Sequence, residues 1–445
     1  MEIKLDPMQG YLTKEGKFDQ QKAFESAGVK AALCFKEVKE GIQVSPEMIR
    51  KDEDLKTLVI RGLNTFFSDH TTPSEHQSVG LEITGIPKIL LMVLNNEKQY
   101  TADERSLRYT KVEENASISK EEVELYNKWI DILNKVITDK MGEFYRKYSK
   151  TDKGAEKAIL KMAQENARYM VSVFMPTATT YTVPWIQINK VMSYMQNVID
   201  NPQNELEEKL VPYLKEFIDE CIRLDVAITK DSIYRYLVSD NNLKDELLKR
   251  FPEMENYKGD NTLLYKNNKS VELSLFAYRN KFSGINSDNE YGYNISYNNY
   301  ESFACLAQEQ RHRTINCEMI VPEEFKAFVP PIIKDNEELV NMWMNDITSV
   351  KDVFPQGQLI NVNRCGTIKN ILKYVAQERA CDRAQLEIER VYVDDMIPNI
   401  YDNLVKNNHE ELAKEVKPYV KRLRCAFPGY KCPGVCGHPR INREL

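Results

Sequence analysis

The chain has 445 residues, 42% of them hydrophobic and 29% charged, so it is long enough for two hydrophobic cores and needs no disulfide staples. A net charge of −6 gives no general basic field for nucleic acid, and any anion site must be a local cluster of Arg and Lys. No apolar run approaches the roughly 18 residues that span a bilayer. The opening MEIKLDPMQG lacks an apolar signal stretch, so the expected setting is cytoplasmic, with no membrane or nucleic-acid partner and most cysteines reduced.

The first 55 or so residues mix short helical pieces with charge, and residues 58–67 lead into the polar turn SDHTTPSEH. In SVGLEITGI, Val79, Leu81 and Ile83 alternate onto one face, which predicts a half-buried strand. Gly85 and Pro87 end it, and KILLMVL follows as a buried helix. After a polar loop, Ser119 opens a helix with Glu122 three residues on, a capping box. Tyr126, Trp129, Ile130, Leu133 and Ile137 then repeat at helical spacing. A further helix is expected near 155–170. PTATTYTVP, bracketed by Pro176 and Pro184, reads as extended, and helices follow over 185–199 and 205–224. Residues 236–270 are polar and read as a linker between a first domain, 1–235, and a second, 271–424. In the second domain SVELSLFAY predicts a strand, FSGINSDNEYGYNISYNNY an exposed loop or hairpin, and ESFACLAQEQ a helix. More helices are expected over 336–350, 368–391 and 410–424. The two halves share this order of parts, which points to internal duplication.

Three stretches carry chemistry. Arg311-His312-Arg313 sets an imidazole between two guanidiniums. Alone, such a run is more often solvated surface or a structural ion-pair node. His70-Thr-Thr-Pro-Ser-Glu75-His76 places two imidazoles and a carboxylate in one turn, too few ligands for a metal. Asp103-Glu104-Arg105-Ser106-Leu107-Arg108-Tyr109 offers the donors and acceptors that hold a phosphate and a sugar hydroxyl.

Together these stretches resemble the flavin-dependent thymidylate synthase (ThyX) family, whose signature is RHRxxSxNExSxRY after an HxxxxEH turn. The signature occurs in two incomplete copies. The first has the HxxxxEH turn, Asn96-Glu97-Lys98 in place of RHR, and the ExSxRY end. The second has Gln308 and RHR, then Asn316 and Glu318 in place of the serine and asparagine that follow. QENARYM places Arg168 at a further family arginine in the first copy, and ERACDRAQLEI places Arg379 before Ala384–Ile388 in the second. The losses are complementary, so the two copies could together make one composite site.

The resemblance implies an α/β fold of the α+β type: two ThyX-like domains, each a mainly antiparallel sheet with flanking helices. It implies reductive methylation of dUMP by methylenetetrahydrofolate, with FAD reduced by NADPH. Alternatives are another dUMP modification, such as hydroxymethylation, and a non-catalytic nucleotide- or flavin-binding homologue. His70, Thr72, Glu75, Arg311, His312 and Arg313 would bind the cofactor. Gln308, Arg311, Glu104, Ser106, Leu107, Arg108, Arg168 and Arg379 would bind the substrate, with Ser106 and Arg379 closest to the chemistry. Ser106 is a hydrogen-bond donor here rather than a nucleophile, since no base adjoins it. Asn361-Val-Asn363-Arg364 is a loose counterpart of a flavin-contacting N-x-R element. A homodimer would act as a pseudo-tetramer.

The tail, residues 425–445, carries Cys425, Cys432, Cys436 and His438. These could enclose a structural zinc, and the same segment also reads as a docked, reduced tail.

Overall fold

The computed structural model describes residues 1–36, 44–68, 71–105, 112–255, 257, 259–265, 272–277, 284–288, 292–381 and 384–432. The chain forms two compact units. One comprises Met1–Arg105 with Pro176–Leu273, and the other comprises Ser106–Met175 with Ser274–Leu445.

In the first unit β1 (Glu2–Leu5), β2 (Ser78–Pro87), β3 (Thr101–Glu104) and β4 (Pro176–Pro184) form an antiparallel sheet in the order β1-β2-β4-β3. The expected alternation holds. Val79, Leu81 and Ile83 of β2 are buried, as are Thr179, Tyr181 and Val183 of β4, while Thr180 and Thr182 face outward. The prolines that bracket β4 sit at its ends, where a missing N–H costs least. Phe24, Phe66 and Trp185 are buried in this unit, and their rings meet at 4.9–5.7 Å. The Gln20–Phe35 and Leu55–Phe66 helices cross in near backbone contact. A Cβ on Gly28 would lie 1.9 Å from the Leu58 carbonyl, and one on Gly62 would lie 1.9 Å from that of Phe24. Residues 236–270, expected as a linker, contribute buried Leu247 and Met254 to this unit.

In the second unit β5 (Gly284–Asp288), β6 (Gly292–Ser302), β7 (Asn316–Ile320) and β8 (Leu359–Thr367) form an antiparallel sheet in the order β5-β6-β8-β7. The two sheets thus use their strands in the same sequence. The stretch expected as loop or hairpin is the β5–β6 hairpin. Among the described residues, 272–277, the strand expected from SVELSLFAY does not form, and residues 274–276 turn. Leu273 and Leu275 are buried all the same, and the Leu275 carbonyl accepts from the Met319 N–H of β7 at 2.9 Å.

The helices Lys120–Tyr148 and Asp152–Ala167 belong to this second unit, whereas chain order groups them with the first. The apolar stripe Tyr126, Trp129, Leu133 and Ile137 explains why. It shares one core with Trp343, Ile347, Ile332 and Leu386, and Trp129 meets Trp343 edge-on at 4.8 Å. The capping box at Ser119 and Glu122 is present as expected. The helical stretch expected over 368–391 is broken after Arg379, where Ala380 leaves the helical region (φ −74°, ψ 59°).

Candidate active site

Ser302 caps the Phe303–Glu309 helix by accepting from the Cys305 N–H at 3.1 Å. The RHR run is the turn between this helix and β7. Arg311 and Arg313 are exposed and His312 is 8% exposed, so the turn alternates outward cations with an inward imidazole.

Arg379, at the broken helix end, reaches this turn. Its Nε donates to His312 Nε2 at 2.7 Å, and Nη2 donates to the Gln308 carbonyl at 2.9 Å. Because Nε2 accepts, the ring proton lies on Nδ1, and His312 is a neutral donor. Burial, then the nearby charges of Arg379 and Arg311, push its pKa down to about 3. His312 is therefore uncharged across the neutral range. Between pH 6.5 and 3 the unfolded chain holds a proton that the folded one refuses. Stability should fall on acidification through that window, by at most about 1.4 kcal/mol per pH unit. His312→Asn should flatten this slope, read as urea midpoints compared from about pH 7 down to about pH 5.

A buried charged node lies on the inner face of the same sheet. Arg364 of β8 meets Glu301 of β6 at 2.6 Å and Glu309 at 2.9 Å, and its Nη1 donates to Asn299 at 2.7 Å. The Tyr392 hydroxyl donates to Glu309. Burial pushes Glu301 up to about 8 against the opposing pull of Arg364. The N–H of His312 donates to the Glu309 carbonyl at 2.9 Å, so this node anchors the start of the RHR turn. Arg364, the loose N-x-R counterpart, is thus committed to internal ion pairs and does not face a ligand.

The Asp152–Ala167 helix delivers Arg168 to the second unit as well. Arg168 is 4% exposed, and neither its Nε nor its Nη2 has a hydrogen-bond partner among the described residues. The neighbouring carboxylate of Glu387 is otherwise engaged. It accepts from the Ser302 N–H (2.7 Å), the Ser302 hydroxyl (2.5 Å) and the Tyr169 hydroxyl (2.7 Å). Glu387 thereby ties the residue after Arg168 to the cap of the helix that leads to RHR. Gln385 adds a bond from Nε2 to the Tyr169 hydroxyl at 2.5 Å. Residues 354–358 run beside 169–173 through Gly357 N to Tyr169 O (3.0 Å), Gln356 N to Val171 O (2.8 Å) and Val173 N to Phe354 O (2.9 Å). Gly357 is required there, because a Cβ would lie 2.7 Å from that of Tyr169.

The expected site residues therefore divide between the units. Arg168, Gln308, Arg311, His312, Arg313 and Arg379 all belong to the second. Thr72 and Glu75 lie on a short helical turn of the first unit, where Thr71 donates to Glu75 at 3.1 Å. Glu104 ends β3 of the first unit with both oxygens taken by Lys88, at 2.5 and 2.7 Å. His70, Ser106, Leu107 and Arg108 lie outside the described residues. In the first unit the helix Lys88–Asn96 follows β2 as Phe303–Glu309 follows β6. Its end carries buried Asn96 and Glu97 in place of exposed arginines.

Cys425 is exposed and Cys432 half-buried, and Cys436 and His438 lie outside the described residues. Among the described residues no group of three or more metal-ligating side chains forms, and no helix is long and apolar enough to cross a membrane. Glu387 and the Arg364 node are the residues that motif reading missed. The AQLEI run contains Glu387, but nothing in it shows that the glutamate is a brace.

Residues 19–192 match the family model described as thymidylate synthase complementing protein, Thy1. Among solved structures, thymidylate synthase X from Helicobacter pylori, crystallised with FAD and dUMP, aligns at 15% identity and a TM-score of 0.26. The alignment covers 49% of this chain and 92% of that one. No curated protein matches the sequence.

Proposed function

We propose, from the premise that the chain belongs to the flavin-dependent thymidylate synthase family, that it converts dUMP to dTMP at one site per chain. Methylenetetrahydrofolate would be the one-carbon donor and NADPH the reductant. The observation that carries this reading is Arg168, a buried guanidinium whose Nε and Nη2 have no acceptor among the described residues. A buried guanidinium with unmet donors is costly, and an incoming phosphate would supply acceptors together with a strong opposing charge. The charge of the neighbouring Glu387 carboxylate reaches Arg168, but the hydrogen bonds that its oxygens accept come from Ser302 and Tyr169.

The RHR turn has a donor set that fits FAD. The exposed Arg311 and Arg313 suit a pyrophosphate or an anionic reduced ring, and the neutral His312 can donate from Nδ1. A reduced flavin held there supplies the hydride. Arg379 is fixed by its bonds to His312 and Gln308. A cation held beside a uracil lowers the pKa of N3 and favours the ionised ring. The protein's part is to orient the reactants and to stabilise charge.

The shared strand order of the two sheets supports descent from a duplicated unit. The buried Asn96 and Glu97 and the Lys88–Glu104 pair support the view that the first copy no longer holds flavin. The reading is tested by reconstituting the chain with FAD. NADPH should bleach the flavin faster when dUMP is present, and adding methylenetetrahydrofolate should give a product with the mass of dTMP. A chain that takes up no flavin would overturn it, and a hydroxymethylated product would correct the reaction.

A further inference from the structure

Tyr126 is 1% exposed, and its hydroxyl has no hydrogen-bond partner among the described residues. On periodicity alone it is one more core residue of the Lys120–Tyr148 helix. Its position says more. Glu122, one helical turn earlier on the same face, accepts from the Ser172 N–H at 2.8 Å and from both the N–H and hydroxyl of Ser119. Tyr126 therefore faces the stretch before Ser172, where Arg168 emerges, and it packs in one cluster with Ala167 and Tyr169. The phenol lies within the field of the Arg168 guanidinium, while burial holds it protonated. Two neighbouring buried groups, one a cation and one a neutral donor, thus carry donors with no acceptor among the described residues. The carboxylates of Glu122 and Glu387 are already engaged, by Ser119 and Ser172 and by Ser302 and Tyr169.

Resting on the reading of Arg168 as a phosphate ligand, we propose that the Tyr126 hydroxyl is a second ligand of the same phosphate monoester. It would donate to a phosphate oxygen from the side of the Lys120–Tyr148 helix. A buried donor with no protein acceptor is ordinarily selected against. This one is retained because the bound substrate satisfies it. The chemical class recognised is a nucleoside monophosphate, and the contribution falls on the phosphate rather than the base.

The test is calorimetric titration of the full chain with dUMP, deoxyuridine and inorganic phosphate, comparing the parent with Tyr126→Phe and Arg168→Met. Tyr126→Phe should weaken dUMP binding by about tenfold or more and leave deoxyuridine unchanged. Its ligand-free melting temperature should stay level or rise, because an unsatisfied buried hydroxyl has been removed. Binding of dUMP by Tyr126→Phe within about twofold of the parent, while Arg168→Met loses it, would overturn this inference and leave the reading of Arg168 standing. Equal loss of dUMP and deoxyuridine would show a structural role and also overturn it. A parent that binds neither dUMP nor phosphate would remove the underlying reading and this inference together.

Discussion

Arg168→Met is expected to weaken dUMP binding by about 100-fold or more while leaving the ligand-free chain at least as stable as the parent. The two signs come from one cause. Free, Arg168 is a 4% exposed cation with unsatisfied Nε and Nη2, and replacing it with an apolar side chain of similar length removes an unmet desolvation cost. Bound, the same guanidinium would make charge-assisted bonds to a phosphate. Losing one side of a buried charged pair costs about 2–5 kcal/mol, with each 1.4 kcal/mol a factor of ten. Calorimetry and a thermal melt on the same sample measure both signs. An arginine kept only for folding would show the opposite, lower stability with unchanged dUMP affinity.

Arg364→Met is expected to do the reverse and lower stability by about 3–5 kcal/mol. Arg364 is the counter-charge for Glu301 and Glu309, both fully buried. Without it, two carboxylates share a low-dielectric site. The loss should shrink on acidification. Burial already raises Glu301 to about 8, and removing the cation raises it further, so the folded chain holds a proton that the unfolded one releases above the model value of 4.5. Folding of the variant is thus favoured at low pH and penalised as pH rises toward and beyond 8. The folded parent also holds this proton up to about pH 8, so the extra loss opens above that value, and denaturant midpoints for parent and variant near pH 8 and about pH 10 read this difference directly. Adding Glu309→Gln should recover part of the loss, because the two sites share one network. Glu309 also carries the carbonyl that fixes the His312 N–H, so flavin affinity should fall with stability.

The sequence was most readable where a local rule and the tertiary environment agree. Ser119 and Glu122 form the expected capping box because the cap geometry is set within four residues. The alternations of SVGLEITGI and PTATTYTVP became β2 and β4 because each buries one face. Strands β1, β3, β7 and β8 were not anticipated. TADE is short and polar, and LINVNRCGT interleaves asparagines, one of them buried, with Ile360, Val362 and a buried arginine. That arginine shows where motif reading stops. Arg364 in an N-x-R-like string suggests a ligand contact, and only the fold reveals Glu301 and Glu309 against it. Conversely, Tyr126 fitted the helical stripe so well that its unsatisfied hydroxyl could not be suspected. The grouping of residues 106–175 with the second unit depends on Trp129 meeting Trp343, two hundred residues apart. RHR and Arg379 were legible as motifs of one domain, and only the fold shows that Arg168 belongs to the same unit.

The central claim is that the chain carries one flavin and nucleotide site, formed where RHR, Arg379 and Arg168 share a unit. The direct measurement is stoichiometry on the FAD-reconstituted chain, with bound FAD counted by absorbance and bound dUMP by calorimetry, each against chain concentration. One FAD and one dUMP per chain is the predicted result. Two of each would mean that the first unit retains a site of its own, and none of either would mean that the second unit has none.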